Sequence, residues 1–182
     1  MRRSKVLEGR RRRGNGLLFW AVAAALVWLA LASRVYVNAS WSDGAWGYVV
    51  LPLPGAPGRG DVVVFDPPAG VGSPVPYLKT VRGLPGDLVE VDGARRVSVN
   101  GAVLGAAKTH ALDGRPLEMT PPRVIPPARY YVHADHVDSH DSRYAEIGLV
   151  ARERIRGRAL ALPDIPWLGL EGPLAGPEET QP

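Results

Sequence analysis

The residue in this chain best suited to acid–base chemistry is a lysine inside an apolar run. The stretch "YLKTVRGLPGD" (77–87) sets Lys79 among Tyr77, Leu78 and Val81, in a chain that has 19 arginines and only three lysines, Lys5, Lys79 and Lys108. A lysine can take a proton from a hydroxyl only when its amine is neutral, so its pKa must fall from about 10.4 towards neutrality. Burial among apolar groups does this by penalising the charged form. Arginine cannot stand in, because it stays protonated in proteins. Two readings of Lys79 follow. It is either a buried base paired with a serine, or an edge-strand lysine that faces water and discourages edge pairing.

Other chemistries lack their residues. There is no G-x-S-x-G elbow, no H-E-x-x-H and no phosphate loop. "SHD" (139–141) holds three triad residue types, but neighbours on a strand face opposite ways and cannot form a triad together. Cysteine is absent, which excludes thiol chemistry and disulfides. His133, His136 and His140 cluster with Asp135, Asp138 and Asp141, and these are metal-ligand types. On a strand, however, His133 and His136 point to opposite faces, so a three-ligand site would need a loop. The expectation is no metal and no cofactor.

The elements that must position these residues show in the wider pattern. Residues 1–13 carry seven basic side chains and one acid, so the formal +4 of the chain and its pI of 9.7 belong to this tail. The remainder is slightly acidic, which gives no basic face for nucleic acid. "GLLFWAVAAALVWLALA" (16–32) has no charged residue, has Trp20 and Trp28 near its ends, and follows "RRRR". A transmembrane helix over 16–33 with a cytoplasmic N-terminus is expected. Ala30-Leu31-Ala32 fits a signal-peptide cleavage site, but the run exceeds the usual 7–15-residue signal core, so a retained bilayer anchor is the expectation.

Beyond residue 34, β-branched runs alternate with Gly and Pro. "RVYVNA", "YVVLPL", "DVVVFD", "LVEVD", "RRVSVNG", "RYYVHAD" and "RIRGRALAL" read as strands. No sustained 3.6-residue period appears. The fold class expected is mainly β: an antiparallel domain over 34–162 behind a basic tail (1–15) and the helix (16–33). A poorly ordered Pro/Gly-rich tail is expected over 163–182. Residues 102–125 read equally as an inserted hairpin or as a loop near the cleft.

In order and spacing, the basic tail and apolar span, "NASWSDGAWGY" (38–48), "GDVVVF" (60–65), "YLKTVRGLPGD" and "SHDSRY" (139–144) resemble the signal peptidase I family. The likeness is strongest to its conjugative-transfer branch, which matures pilin-type substrates. It implies a β domain of signal-peptidase type and a Ser/Lys dyad. Ser42 is then the nucleophile and Lys79 its general base. The Ser40 hydroxyl and the Ser42 N–H form the oxyanion hole, Ser139 orients the lysine, and Asp141 and Arg143 form an ion pair supporting the site. Where the family has Leu-Pro after the serine, this chain has Asp43-Gly44, which leaves Ser40 as a rival nucleophile. The resemblance further implies exported preproteins or a pilin-type precursor as substrate, and a place in the cell membrane with the catalytic domain on the exported side. The rival readings are a non-enzymatic membrane-anchored envelope binding module, an inactive homologue, and a metal-dependent hydrolase built on the histidine cluster.

Overall fold

The computed structural model describes residues 16, 18–28, 30, 34–38 and 44–174. The chain divides at Val35 into two units. In the first, residues 18–28 are helical, and Leu18, Phe19, Trp20, Val22, Leu26, Val27 and Trp28 are exposed. Among the described residues no helix is long and apolar enough to cross a membrane. The expected transmembrane span over 16–33 is not supported by the described residues, and its positions 17, 29 and 31–33 lie outside them.

The second unit is mainly β and antiparallel throughout its registered pairs. Among the described residues the eleven strands are β1 (Val35–Val37), β2 (Gly47–Leu51), β3 (Val62–Phe65), β4 (Tyr77–Gly83), β5 (Leu88–Val91), β6 (Arg96–Val99), β7 (Ala102–Ala106), β8 (Arg123–Val124), β9 (Arg129–His133), β10 (Val150–Ala151) and β11 (Ile155–Ala161). They form a seven-stranded sheet, β1-β2-β11-β3-β4-β9-β10, and a four-stranded sheet, β7-β6-β5-β8.

Both faces of the larger sheet are apolar, which explains why β3 reads as a continuous "VVVF" rather than an alternation. On one face Val63, Phe65, Val81, Tyr130 and Val132 pack with Ile147, Val150 and Ile155. On the other Val64 packs with Tyr48, Val50 and Ala159. The two sheets meet where Tyr131 of β9 enters the cluster of Val89, Val97, Val99 and Ile125. Gly83, the last residue of β4, lies in this seam. A Cβ there would stand 2.5 Å from Ile125 Cδ1 and 2.8 Å from Tyr131 Cβ.

Turn chemistry sets the links. Leu84-Pro85-Gly86-Asp87 joins β4 to β5, with Gly86 at φ +93° and the Asp87 carboxylate accepting from Leu84 N–H at 2.5 Å. Asn100-Gly101, both at positive φ, makes the tight β6–β7 hairpin for which that dipeptide is suited. Residues 102–125 therefore open as a hairpin and close on β5 through β8. Between them, a loop bridges His110 to Pro116 and Met119 to Tyr144.

The expectation of a loose C-terminal tail is corrected over 163–174. Trp46 Nε1 donates to Pro163 O at 2.9 Å, Leu174 N–H to Asn38 O at 3.1 Å, and Ile165 bridges Leu170. Backbone pairing and the indole hydrogen bond tie down a segment whose Pro/Gly content alone suggested freedom.

Candidate active site

Lys79 lies in the interior of the larger sheet. Its strand, β4, is hydrogen-bonded to β3 on one side and β9 on the other, with Lys79 registered against Val63. The edge-strand reading of this lysine fails on that pairing. Alternation along β4 puts Tyr77, Lys79 and Val81 on one face, and Tyr77 and Val81 belong to the core cluster on that side. Lys79 is accordingly buried, 6% exposed, with its Nζ 5.9 Å from the centre of the Tyr77 ring, within cation–π range.

The chain leaves β9 after His133 and enters the 134–149 loop, which carries the second half of the site. Asp141 is fully buried and accepts from Ala134 N–H (3.1 Å), Arg143 N–H (3.0 Å) and Arg143 Nε (2.9 Å). Burial alone would raise its carboxyl pKa, but the His133 ring at 3.1 Å, hydrogen bonds from Arg143 and the charge of Arg143 outweigh it and hold the group ionised below its usual range. Arg143, also buried, donates from Nη2 to Asp141 Oδ2 as well, at 3.0 Å, and its outer nitrogens also meet carbonyls. They reach Ser139 O at 3.0 Å, His136 O at 3.1 Å and Ala106 O of β7 at 3.3 Å. The pair thus clamps the Ser139 backbone and ties it to the smaller sheet.

Ser139 itself is 2% exposed, and its Oγ makes no hydrogen bond among the described residues. A buried hydroxyl without a partner is costly and marks a place held for something else. His140 follows, with its ring centre 6.3 Å from that of Tyr77 and Nε2 3.1 Å from Glu146 Oε2. Burial pushes its pKa down; the nearby cations Arg115 and Lys79 add to the fall, while Glu146 and Asp141 oppose it. Lys79 and the 139–144 segment therefore share one flank of the fold, with Tyr77 between them. Beside it, a cavity of about 290 Å³ opens between the 107–122 loop and this segment. Its walls include Lys108, Arg115, Leu117, Asp138, His140 and Tyr144, and Lys108 is paired to Asp138 and Arg115 to Glu146.

Ser40 and Ser42 lie outside the described residues. The histidine cluster does not converge. His133 turns inward to Asp141, His140 turns to Glu146, and among the described residues no group of three ligand-type side chains could hold a metal ion. Sequence reasoning missed Ser142, a fully buried clip whose Oγ accepts from Val132 N–H at 2.9 Å and donates to Gly148 O at 2.7 Å. It also missed Tyr144, whose hydroxyl accepts from Lys108 N–H at 3.1 Å. Neither carries a spacing signal.

Residues 11–162 match the family described as Signal peptidase, peptidase S26. The chain belongs to that family. Among its relatives, a signal peptidase I from Pseudomonas fluorescens is 31% identical over 142 residues, covering 59% of this chain and 49% of that protein. The conjugal transfer protein TraF of Agrobacterium tumefaciens (strain 15955) is 29% identical over 158 residues, covering 73% of this chain and 88% of that protein. A crystal structure of a signal peptidase I from Enterococcus faecalis V583 superposes with a TM-score of 0.38 at 23% identity, covering 60% of this chain and 98% of that one. The chain thus spans about half the length of the Pseudomonas signal peptidase I and most of the Agrobacterium transfer protein. The peptidase S26 match takes in Lys79 and the whole of "SHDSRY".

Proposed function

We propose that this chain is a membrane-anchored serine endopeptidase that removes leader peptides from exported precursors, with Ser42 as nucleophile and Lys79 as general base. The observation that carries the reading is the burial of Lys79 on an interior strand. An ammonium there is penalised, and a neutral amine is what base catalysis requires.

The Ser42 hydroxyl adds to the scissile carbonyl as its proton passes to Lys79 Nζ. The tetrahedral oxyanion is held by the Ser42 N–H and the Ser40 hydroxyl, each such donor being worth roughly 10²–10³ in rate. The C–N bond then breaks as Lys79 returns the proton to the leaving amine, and an acyl ester remains on Ser42. Lys79 next deprotonates a water, which attacks the ester and frees the serine. Ser139 holds the amine in line, and the Asp141–Arg143 pair holds Ser139.

The charge-free run 16–32 behind four arginines supports the anchor, an inside N-terminus and a catalytic domain on the exported side. The similarity to a conjugal transfer protein over most of that protein's length favours a transfer-related, pilin-type precursor as substrate.

The test is mass spectrometry of exported proteins from cells carrying the wild-type chain or Ser42→Ala, with Ser40→Ala alongside. Precursors should accumulate with Ser42→Ala and with Lys79→Ala. Full processing by Ser42→Ala and none by Ser40→Ala would move the nucleophile to Ser40. Full processing by Lys79→Ala would end the dyad reading and leave a binding module.

A further inference from the structure

His133 takes no part in the chemistry above, yet it links the lysine strand to the serine segment. Its backbone, at the end of β9, is registered directly against Thr80, the neighbour of Lys79 on β4. Its side chain is 1% exposed and places Nδ1 3.1 Å from Asp141 Oδ2. On its other side Nε2 stands 3.7 Å from Asp135 Oδ1, a largely exposed carboxylate that Arg82 approaches at 3.4 Å. From the smaller sheet Gly105, at φ +144°, lies over both His133 and Arg143. A Cβ there would meet the Arg143 Nη1 at 3.7 Å and the His133 Cε1 at 4.0 Å. The groups facing this imidazole are thus Asp141, Arg143 and Asp135.

Asp141 Oδ2 is the shared point. It receives Ala134 N–H, Arg143 Nη2 and the approach of His133, while the same Nη2 reaches Ser139 O. Without the imidazole, Asp141 Oδ2 keeps only Ala134 N–H and Arg143 Nη2, and the guanidinium that clamps Ser139 has a less firmly fixed counterpart. We propose that His133 is a positioning residue: through Nδ1 it fixes Asp141, and thereby Arg143 and the Ser139 backbone, in register with Lys79. This deepens, and in its kinetic part rests on, the Ser42/Lys79 reading.

Two variants separate positioning from packing. His133→Leu keeps the volume and removes the donor; His133→Asn loses volume but places its Nδ2 near the position of the lost Nδ1. If packing governs, Leu is the milder change; if Asp141 is being held, Asn is. The experiment uses the full chain in detergent micelles with p-nitrophenyl acetate as acyl donor, following the Ser42-dependent acylation rate against pH. Amide hydrogen exchange over 139–143 is measured in parallel.

For His133→Leu, acylation should slow about tenfold, the scale of a lost polar contact to a charged group. The acid limb of the pH–rate profile should move to higher pH, and the 139–143 amides should exchange faster while those of β3 and β11 do not. His133→Asn should restore all three to within about threefold. Unchanged exchange over 139–143 in His133→Leu overturns the proposal, as does Asn behaving no better than Leu. If Ser42→Ala and Lys79→Ala acylate like wild type, the dyad reading falls, and the exchange measurement alone still decides on His133.

Discussion

Lys79 and arginine carry the same charge but cannot exchange roles, and this separates chemistry from packing at the residue scale. Lys79→Arg keeps the cation and the alkyl stem but cannot give up its proton. Like Lys79→Ala, it should lower precursor processing by at least the 10²–10⁴-fold that a general base typically supplies, with the protein still folded by circular dichroism. His140 allows a pH prediction. Burial depresses its pKa below the usual 6.5, so below that value the unfolded chain binds more protons than the folded one. This contribution to stability is therefore complete above pH 6.5 and is lost as the pH falls through 6.5 towards the folded value. Urea midpoints should decline between pH 7.5 and 5.5, and less steeply in His140→Asn.

What could be read from single residues was uneven. Lys79 stood out because a lone lysine in an apolar run has few uses. Asp141 and Arg143 came only through a resemblance, since two charges two residues apart look like a surface pair until the loop that buries them is seen. His133 was read as a metal-ligand type, because sequence shows that histidines are near one another but not that one turns inward against a carboxylate.

Strands with β-branched runs were legible at the scale of elements: seven of the eleven described strands lie where those runs stand, and β4 lies in the apolar run around Lys79. The three that were not, β7, β8 and β10, are short or Ala/Gly-rich and exist because a neighbour pairs with them. Asn100-Gly101 was a hairpin signal left unused inside a strand reading. The order of 163–174 was not legible because it rests on backbone pairing within the segment and to Asn38 and on the Trp46 indole bond to Pro163, none of which composition shows. At this scale Gly83 is the sharpest test. β4 can abut the smaller sheet only where a side chain is missing, so Gly83→Ala should press on Ile125 and Tyr131. A loss of about 1–3 kcal/mol is expected, read from urea unfolding, and Gly83→Ala with Ile125→Val should recover part of it.

For the whole molecule, the decisive feature is that the support of the site doubles as a joint between sheets. Arg143 reaches Ala106 on β7 while its partner Asp141 is held from the end of β9. Asp141→Asn would leave a buried guanidinium without its counter-charge, a loss of about 3–5 kcal/mol, so the variant's Tm should fall sharply. Because the pKa of Asp141 is depressed on folding, wild-type stability from this group is present above about pH 4, the range of a free carboxyl. It is lost as the pH drops through the lower folded value. Asp141→Asn should flatten that part of the acid-unfolding curve.

On the proposed reading, heating the native chain leaves little room to loosen the site before the two sheets part. In many enzymes the working groups sit on a mobile rim, and heat silences them well before the protein melts. Here the Arg143 guanidinium that clamps Ser139 also fastens one sheet to the other. Turnover and native structure should therefore disappear together on heating, along a single curve.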